Sequence, residues 1–348
     1  MFSEIEPQSI CLVRLSAIGD TCHALAVVRR LADNWPNCKI TWIIGKTEAS
    51  LIGDVVGVEF IIFDKSEGRA AYAEVGKQLG DRQFDVVLCM HASWRANRLY
   101  RLIRSNVRLG FDFARARDFQ WLFTNARIPA RQQEHALDAM MGFAQAIGAR
   151  PTPLRWDIPL SASDREFAAR YAASRTLVIS PLSSQRKRNF RNWPSENYAA
   201  VACYAQEKYA CRILLTGGNT NLEREYGQRI AAECGPDLVD LIGKTTLKQS
   251  LAVFEAADLV LCPDSGPAHM ATAALTPVLG LYASSNPDRT GPYVSRKLTV
   301  NRYPDAVRRF LGKSVNQVRW GQRVRDPAVM SLIEVSDVTQ KLDDFFAT

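Results

Sequence analysis

The sequence predicts an α/β protein built from two similar halves, each a parallel sheet with helices on both faces. Three observations carry this. Short apolar runs alternate with helical stretches from residue 10 to residue 148. Pro151, Pro153 and Pro159 then fall close together and mark a linker. After them the strand–helix alternation starts again, and such alternation means parallel strands with crossover helices. Two domains are the usual division for a chain of 348 residues. The expected bounds are 1–155 and 156–330, with a terminal amphipathic helix in 331–348 packing back on the first domain.

In the first half, ICLVRL (10–15) is short, apolar and β-branched, so it reads as a buried strand. ALAVVRRLADNW (24–35) carries apolar residues at helical spacing. CKITWII (38–44) and VEFIIF (58–63) are strands, and AAYAEVGKQL (70–79) is a helix. FDVVLCM (84–90) is a strand, followed by a helix from Trp94 to Arg104 and a short strand NVRLGF (106–111). HALDAMMGFAQAIG (135–148) closes the half as a helix. In the second half the strands are RTLVISP (175–181), CRILLTGG (211–218), VDLIGK (239–244), DLVLCPD (258–264) and TPVLGLYA (276–283). The helices between them are 197–209, 222–234, 247–257 and 266–275, and SLIEVSDVTQKLDDFF (331–346) is the terminal helix. In two such halves, ligands are expected at strand C-termini facing a central cleft.

Hydrophobic residues make up 47% and charged residues 23%, enough for packed cores and too mixed for long disorder. Lys and Arg number 44 against 36 Asp and Glu, a net charge of +8 that suits an anionic partner. The excess is local: nine arginines between His91 and His135 face only Asp112, Asp118 and Glu134. The eight cysteines are scattered without a C-x-x-C pair, as in a reduced, cytoplasmic protein. The polar start MFSEIEPQS predicts no secretory leader, and no apolar run is long enough for a membrane span. The expectation is a soluble protein that touches a membrane only peripherally.

Several chemistries are unsupported. Two Gly-Lys-Thr triplets, at 45–47 and 243–245, have Ile40 and Leu238 where a P-loop needs glycine. There is no G-x-G-x-x-G for a dinucleotide, no Asp-x-Asp for a carboxylate-held Mg²⁺, and no G-x-S-x-G for a hydrolase.

Four segments carry candidate chemistry. In LVLCPDSGPAHM (259–270) a buried strand delivers Asp264, Ser265 and Gly266 to a helix start, with His269 one turn in. A helix N-terminus suits a phosphate, although an N-cap by Asp264 or Ser265 explains the same residues. In SPLSSQRKRNFRNWP (180–194), Ser183 and Ser184 precede Arg186, Lys187, Arg188 and Arg191. Hydroxyls and cations past a strand grip a pyrophosphate, and a solvated basic loop is the plainer account. In RLSAIGDTCHA (14–24), Gly19 frees a turn and Asp20 stands where it accepts a proton or caps a helix, with His23 beside it. Arg95, Arg98, Arg101 and Arg104 recur every three residues along one helix face, with Ala96, Leu99, Leu102 and Ile103 opposite. With Arg108 they form a docking face for an anionic acceptor or simply a solvated one.

R-L-S-A-I-G-D at the first strand end, D-S-G-P-A-H, and S-N-P-D-R-T-G-P-Y (285–293) together resemble glycosyltransferase family 9, the lipopolysaccharide heptosyltransferases of Gram-negative bacteria. The likeness runs from about residue 10 to residue 295 and includes Gly-Lys-Thr-x-Leu (243–247). R-L-S-A-I-G-D-x-C-H-A and T-W-I-x-G-K-x-E (41–48) look most like the heptosyltransferase I branch. The resemblance implies a GT-B fold of two Rossmann-like domains. It also implies an inverting transfer, without metal or other cofactor, from ADP-heptose to Kdo of lipid A. The implied base is Asp20. The implied donor contacts are Ser183, Ser184, Arg191, Thr245, Leu247, Asp264, Ser265, Gly266 and His269, with Glu223 or its rival Glu225 at the ribose. Arg191 stands where the family usually has Lys. His23, Arg95, Arg98, Arg101 and Arg108 are left for the acceptor. A heptosyltransferase II or another nucleotide sugar is the alternative. A nucleic-acid binder is disfavoured, because no base-stacking motif accompanies the basic patches.

Overall fold

The computed structural model describes residues 6–183, 189–235 and 237–347. The chain divides into two compact units, Met1–Pro159 and Leu160–Thr348.

The first unit runs β1 (Ser9–Val13), α1 (Ile18–Asn34), β2 (Lys39–Gly45), α2 (Lys46–Ile52), β3 (Val58–Phe63) and α3 (Arg69–Leu79). It continues with β4 (Gln83–Phe84), β5 (Val86–Leu88), α4 (Trp94–Tyr100), β6 (Arg104–Ser105), β7 (Arg108–Gly110), β8 (Ala126–Arg127) and α5 (Ala136–Ala146). The main sheet has the order β3-β2-β1-β5-β7-β8, and its pairings are parallel. Ile10 and Leu12 lie opposite Ile40 and Trp42, and all four are buried. Strand order reverses direction between β1 and β5, so the loops after these two strands diverge and leave room for a ligand.

Two boundaries differ from expectation. Helix α1 begins at Ile18, six residues before the predicted start. Gly19 therefore lies inside its first turn instead of freeing one, and Thr21 Oγ donates to the Ile18 carbonyl at 2.7 Å. Helix α4 ends at Tyr100, because Arg104 and Ser105 leave to pair with Gln83 and Phe84. Of the arginine series, only Arg95 and Arg98 lie on the helix. Arg101 is its C-cap, and Arg104 lies in β6 and pairs with Asp81 at 2.9 Å. Leu102, predicted to be buried, is exposed.

The unit boundary lies at Pro159, past the predicted 155. The reason is local. Trp156 is buried and its indole N–H donates to the Cys22 carbonyl at 2.9 Å. Arg29 donates to the carbonyls of Trp156 and Asp157 at 2.9 and 2.6 Å, tying the linker start to α1.

The second unit runs α6 (Ala162–Ala169), β9 (Thr176–Ile179), α7 (Ser195–Tyr209), β10 (Arg212–Leu215), α8 (Asn221–Glu233), β11 (Leu238–Asp240) and α9 (Leu247–Glu255). Then come β12 (Leu259–Pro263), α10 (Gly266–Ala273), β13 (Val278–Tyr282), α11 (Pro287–Thr290), β14 (Val300–Asn301), α12 (Tyr303–Leu311) and α13 (Val335–Phe346). Its sheet order is β11-β10-β9-β12-β13-β14, again with parallel pairings and with the reversal between β9 and β12. The terminal helix α13, expected on the first domain, packs against α7 within this unit. Val338 and Leu342 enter the second core, and both Tyr204 and Tyr209 donate to the Asp343 carboxylate. Among the described residues no helix is long and apolar enough to cross a membrane.

Candidate active site

Each unit gathers polar groups at the C-terminal edge of its own sheet. In the first unit, Asp20 occupies the third position of α1. A carboxylate there accepts from the N-terminal backbone, and the Ala17 N–H lies 3.4 Å from Asp20 Oδ2. The stronger contact is ionic: an Arg14 Nη lies 2.5 Å from the same oxygen. Arg14 is itself fixed from the next loop, donating to the Met90 carbonyl at 2.7 Å. Its side chain is 12% exposed while that of Asp20 is 41% exposed. A partly buried cation thus holds a carboxylate that still reaches solvent.

His91 completes this corner, and sequence reasoning missed it. It follows β5 and its Nδ1 accepts the Leu15 N–H at 3.1 Å. The Tyr100 hydroxyl donates to its carbonyl at 2.7 Å. Burial, then the positive charge of Arg14, pulls the His91 pKa down to about 3 against the opposing effect of Asp20. A neutral ring that accepts at Nδ1 carries its hydrogen on Nε2. The available signal was its place directly after a strand beside the sheet's reversal. Glu48, in the first turn of α2, is also buried. Burial raises its pKa, with Arg14 and Asp20 both within electrostatic reach.

His23 is placed elsewhere. It is buried in the seam between α1 and α5, its ring edge-on to His135 at 5.7 Å. Arg95, Arg98 and Arg101 are exposed; Arg108 is half-buried and donates to the Ile103 carbonyl at 3.1 Å.

In the second unit every described donor candidate follows a strand of the sheet. Ser183, after β9, is buried and donates to Asn189 and Asn192 at 3.0 and 3.1 Å. Ser184, Arg186, Lys187 and Arg188 lie outside the described residues. Glu223, after β10, accepts from the Gly218 N–H at 2.8 Å and from Thr220, closing a capping box on α8. Glu225 is exposed two residues further along that helix. Thr245, after β11, shares a hydrogen bond with Ser250 at 2.7 Å, and Leu247 is the first residue of α9.

The centre of this half is Asp264, buried after β12. Arg191 donates to its carbonyl at 2.7 Å and lies 3.3 Å from its carboxylate, and Arg323 approaches the same oxygen at 3.7 Å. Arg323 is a second residue that sequence reasoning missed. Its pKa is lowered by desolvation and by Arg191, Arg289 and Arg325, with Asp264 opposing. Several guanidinium groups thus gather around one carboxylate, and the local charge is positive.

Helix α10 starts beside them. Ser265 is its N-cap residue by position, but its hydroxyl donates to the Pro263 carbonyl at 3.0 Å and makes no cap bond. The Asp264 carboxylate is engaged by arginine. The N-cap account of this segment therefore fails, and the first-turn N–H groups, Gly266 among them, remain available to an anion. His269 stands in that first turn, half-buried. Among the described residues no group of three or more His, Cys, Asp or Glu is placed to hold a metal ion.

Residues 72–309 match the model of glycosyltransferase family 9 (heptosyltransferase). The chain is 37% identical to the lipopolysaccharide core heptosyltransferase OpsX of Haemophilus influenzae, over 97% of this chain and 96% of that one. Among solved structures it resembles the family 9 glycosyltransferase of Veillonella parvula (TM-score 0.79, 19% identity, 99% of this chain and 98% of that one). It also resembles E. coli heptosyltransferase WaaC with ADP (TM-score 0.74, 19% identity, 97% and 99%). The fold of the two Rossmann-like units is the GT-B fold expected from the sequence.

Proposed function

This chain belongs to glycosyltransferase family 9, the heptosyltransferases, and we propose that it transfers heptose from ADP-heptose to Kdo of lipid A in lipopolysaccharide core synthesis. The observation that carries the donor half of this reading is the uncapped start of α10 beside Arg191 and Arg323. Bond breaking places negative charge on the departing diphosphate. Fixed guanidinium groups and helix N–H groups stabilise that charge without reorganising. Arg191 offers a planar fork where a lysine would offer a point charge. Glu223 is favoured over Glu225 for the ribose. It sits at the strand-end turn, and a carboxylate keeps lone pairs beyond those used in capping.

Asp20 is the proposed base. Inverting transfer needs one group to take the acceptor hydroxyl proton while the anomeric carbon gains oxocarbenium character. Asp20 is the half-exposed carboxylate of the first unit's corner, and Arg14 fixes its direction. Arg95, Arg98, Arg101 and Arg108 are proposed to meet an anionic acceptor. A lipid-borne acceptor would place the enzyme at the cytoplasmic face of the inner membrane.

The test is incubation with ADP-heptose and Kdo-lipid A, followed by mass spectrometry. A mass gain of one heptose with release of ADP is expected. Transfer only to an already heptosylated acceptor, or only from another nucleotide sugar, would overturn this assignment within the family.

A further inference from the structure

His91 stands in the loop after β5, beside the point where the strand order of the first sheet reverses. Two neighbours fix it. The fully buried Tyr100 clamps its backbone: the Tyr100 hydroxyl accepts from the His91 N–H at 3.2 Å and donates to the His91 carbonyl at 2.7 Å. The Leu15 N–H fixes the ring by donating to Nδ1 at 3.1 Å. A neutral imidazole that accepts at Nδ1 donates at Nε2. Among the described residues nothing accepts from that Nε2–H, and the atom still reaches solvent.

Folding explains half of this arrangement. The Nδ1 contact ties the chain between Arg14 and Asp20 to the end of β5. It calls for no donor on the far side of the ring, because an asparagine oxygen placed near Nδ1 would accept from Leu15 as well. The ring therefore presents a fixed, uncommitted donor at the C-terminal edge of the sheet, where ligands of such folds bind. Burial keeps the ring neutral, and Arg14, Asp20 and Arg95 are the charged groups within electrostatic reach. Two of these are cations, and the one carboxylate is already paired with Arg14. An oxygen arriving at Nε2 thus meets a positive surrounding, which favours an anionic oxygen over a hydroxyl.

We propose that His91 binds the acceptor, its Nε2–H donating to the carboxylate of the acceptor sugar while Asp20 takes the hydroxyl proton. The proposal rests on the reading of Asp20 as base and of Kdo, a sugar acid, as acceptor. It adds a second point of attachment on the same corner. A sugar held at its carboxylate and met by a base at one hydroxyl is oriented, and the pair of contacts selects which hydroxyl is deprotonated. No proton passes through the imidazole.

The experiment separates the two ring nitrogens. His91→Asn keeps an acceptor oxygen near the place of Nδ1 and loses the Nε2 donor. His91→Gln carries an amide donor out to the place of Nε2. His91→Asn should raise the KM for Kdo-lipid A about tenfold or more, the scale of one hydrogen bond to a charged group. The kcat should change less, the Kd for ADP should stay unchanged, and His91→Gln should recover most of the loss. The reverse order, with His91→Asn near wild type and His91→Gln impaired, would show a purely structural residue and overturn the proposal. Nuclear magnetic resonance of labelled histidine is the second readout. The His91 Nε2–H signal, identified by its loss in His91→Asn, should move when Kdo is added to the wild type and stay in place with Kdo methyl ester. A signal that Kdo does not move, or that the ester moves equally, overturns the proposal. If the wild type transfers no heptose to Kdo-lipid A, the functional assignment fails, and the same resonance then decides the His91 contact by itself.

Discussion

Asp20 is a helix-start residue for which a second role, that of base, is proposed. At the third position of α1 its carboxylate accepts from the backbone, as a cap residue would. A cap alone, however, needs no arginine, and Arg14 is held by the Met90 carbonyl so that it meets Asp20. Asp20→Ala is therefore expected to lower kcat by about 10² or more while ADP affinity, measured by calorimetry, is unchanged. Near wild-type turnover would remove Asp20 as the base. His91 makes a separate prediction in pH. Its folded pKa, about 3, lies below the unfolded value of 6.5. Between these values the unfolded chain binds a proton that the folded chain does not. Stability is then unaffected by this group above pH 6.5 and falls as pH drops toward 3. The slope from this one group is at most about 1.4 kcal/mol per pH unit. His91→Gln should remove that component, visible as a wild-type-minus-variant difference in urea unfolding that is sloped in this window and flat above it.

At the level of elements, strands and long helices were legible because their apolar spacing is imposed by burial, as in VEFIIF, whose predicted bounds match β3. What was not legible depends on contacts distant in sequence. The end of α4 is set by β6 pairing with β4. The linker boundary is set by Arg29 reaching Trp156. Helix α12 was overlooked although Pro304 near its start and Gly312 just past its end mark it. The junction of β2 and α2 shows how closely neighbouring elements fix the Asp20 corner. Gly45 donates to the Leu15 carbonyl at 3.1 Å, and a Cβ added there would lie 2.2 Å from that oxygen. Backbone cannot yield as a side-chain tip does. Gly45→Ala should cost about 1–3 kcal/mol in chemical unfolding and displace Leu15, which lies between Arg14 and Asp20. Unchanged stability would show that the close approach is relieved without cost.

For the molecule as a whole, the proposed reaction assigns its base and its donor contacts to different units, each with its own sheet and core. Asp20, Arg98 and Arg101 belong to the first; Asp264, Arg191, Arg323 and the start of α10 belong to the second. Asp20, Arg191 and the uncapped start of α10, the proposed base and diphosphate contacts, could be picked out in the sequence because strand ends carry them in local motifs. Arg323 and His91 could not. Arg323 reaches Asp264 from far along the chain, and the place of His91 beside the sheet's reversal has meaning only once the strand order is known. This division makes donor and acceptor functions separable by mutation. Arg191→Ala removes a guanidinium from the proposed diphosphate site, and the loss of one charge-assisted contact is about 1.5–3 kcal/mol, or roughly 10- to 150-fold in ADP affinity. Arg98→Glu with Arg101→Glu acts on the other unit. It should raise the KM for Kdo-lipid A while the Kd for ADP stays within about twofold, since neither arginine is among the proposed donor contacts and salt screens exposed charges. Calorimetric titration of ADP beside acceptor-dependent kinetics reads both effects on the same preparations. If Arg191→Ala altered the acceptor KM and left ADP binding intact, or the glutamate pair did the reverse, the assignment of donor to the second unit and acceptor to the first would be wrong.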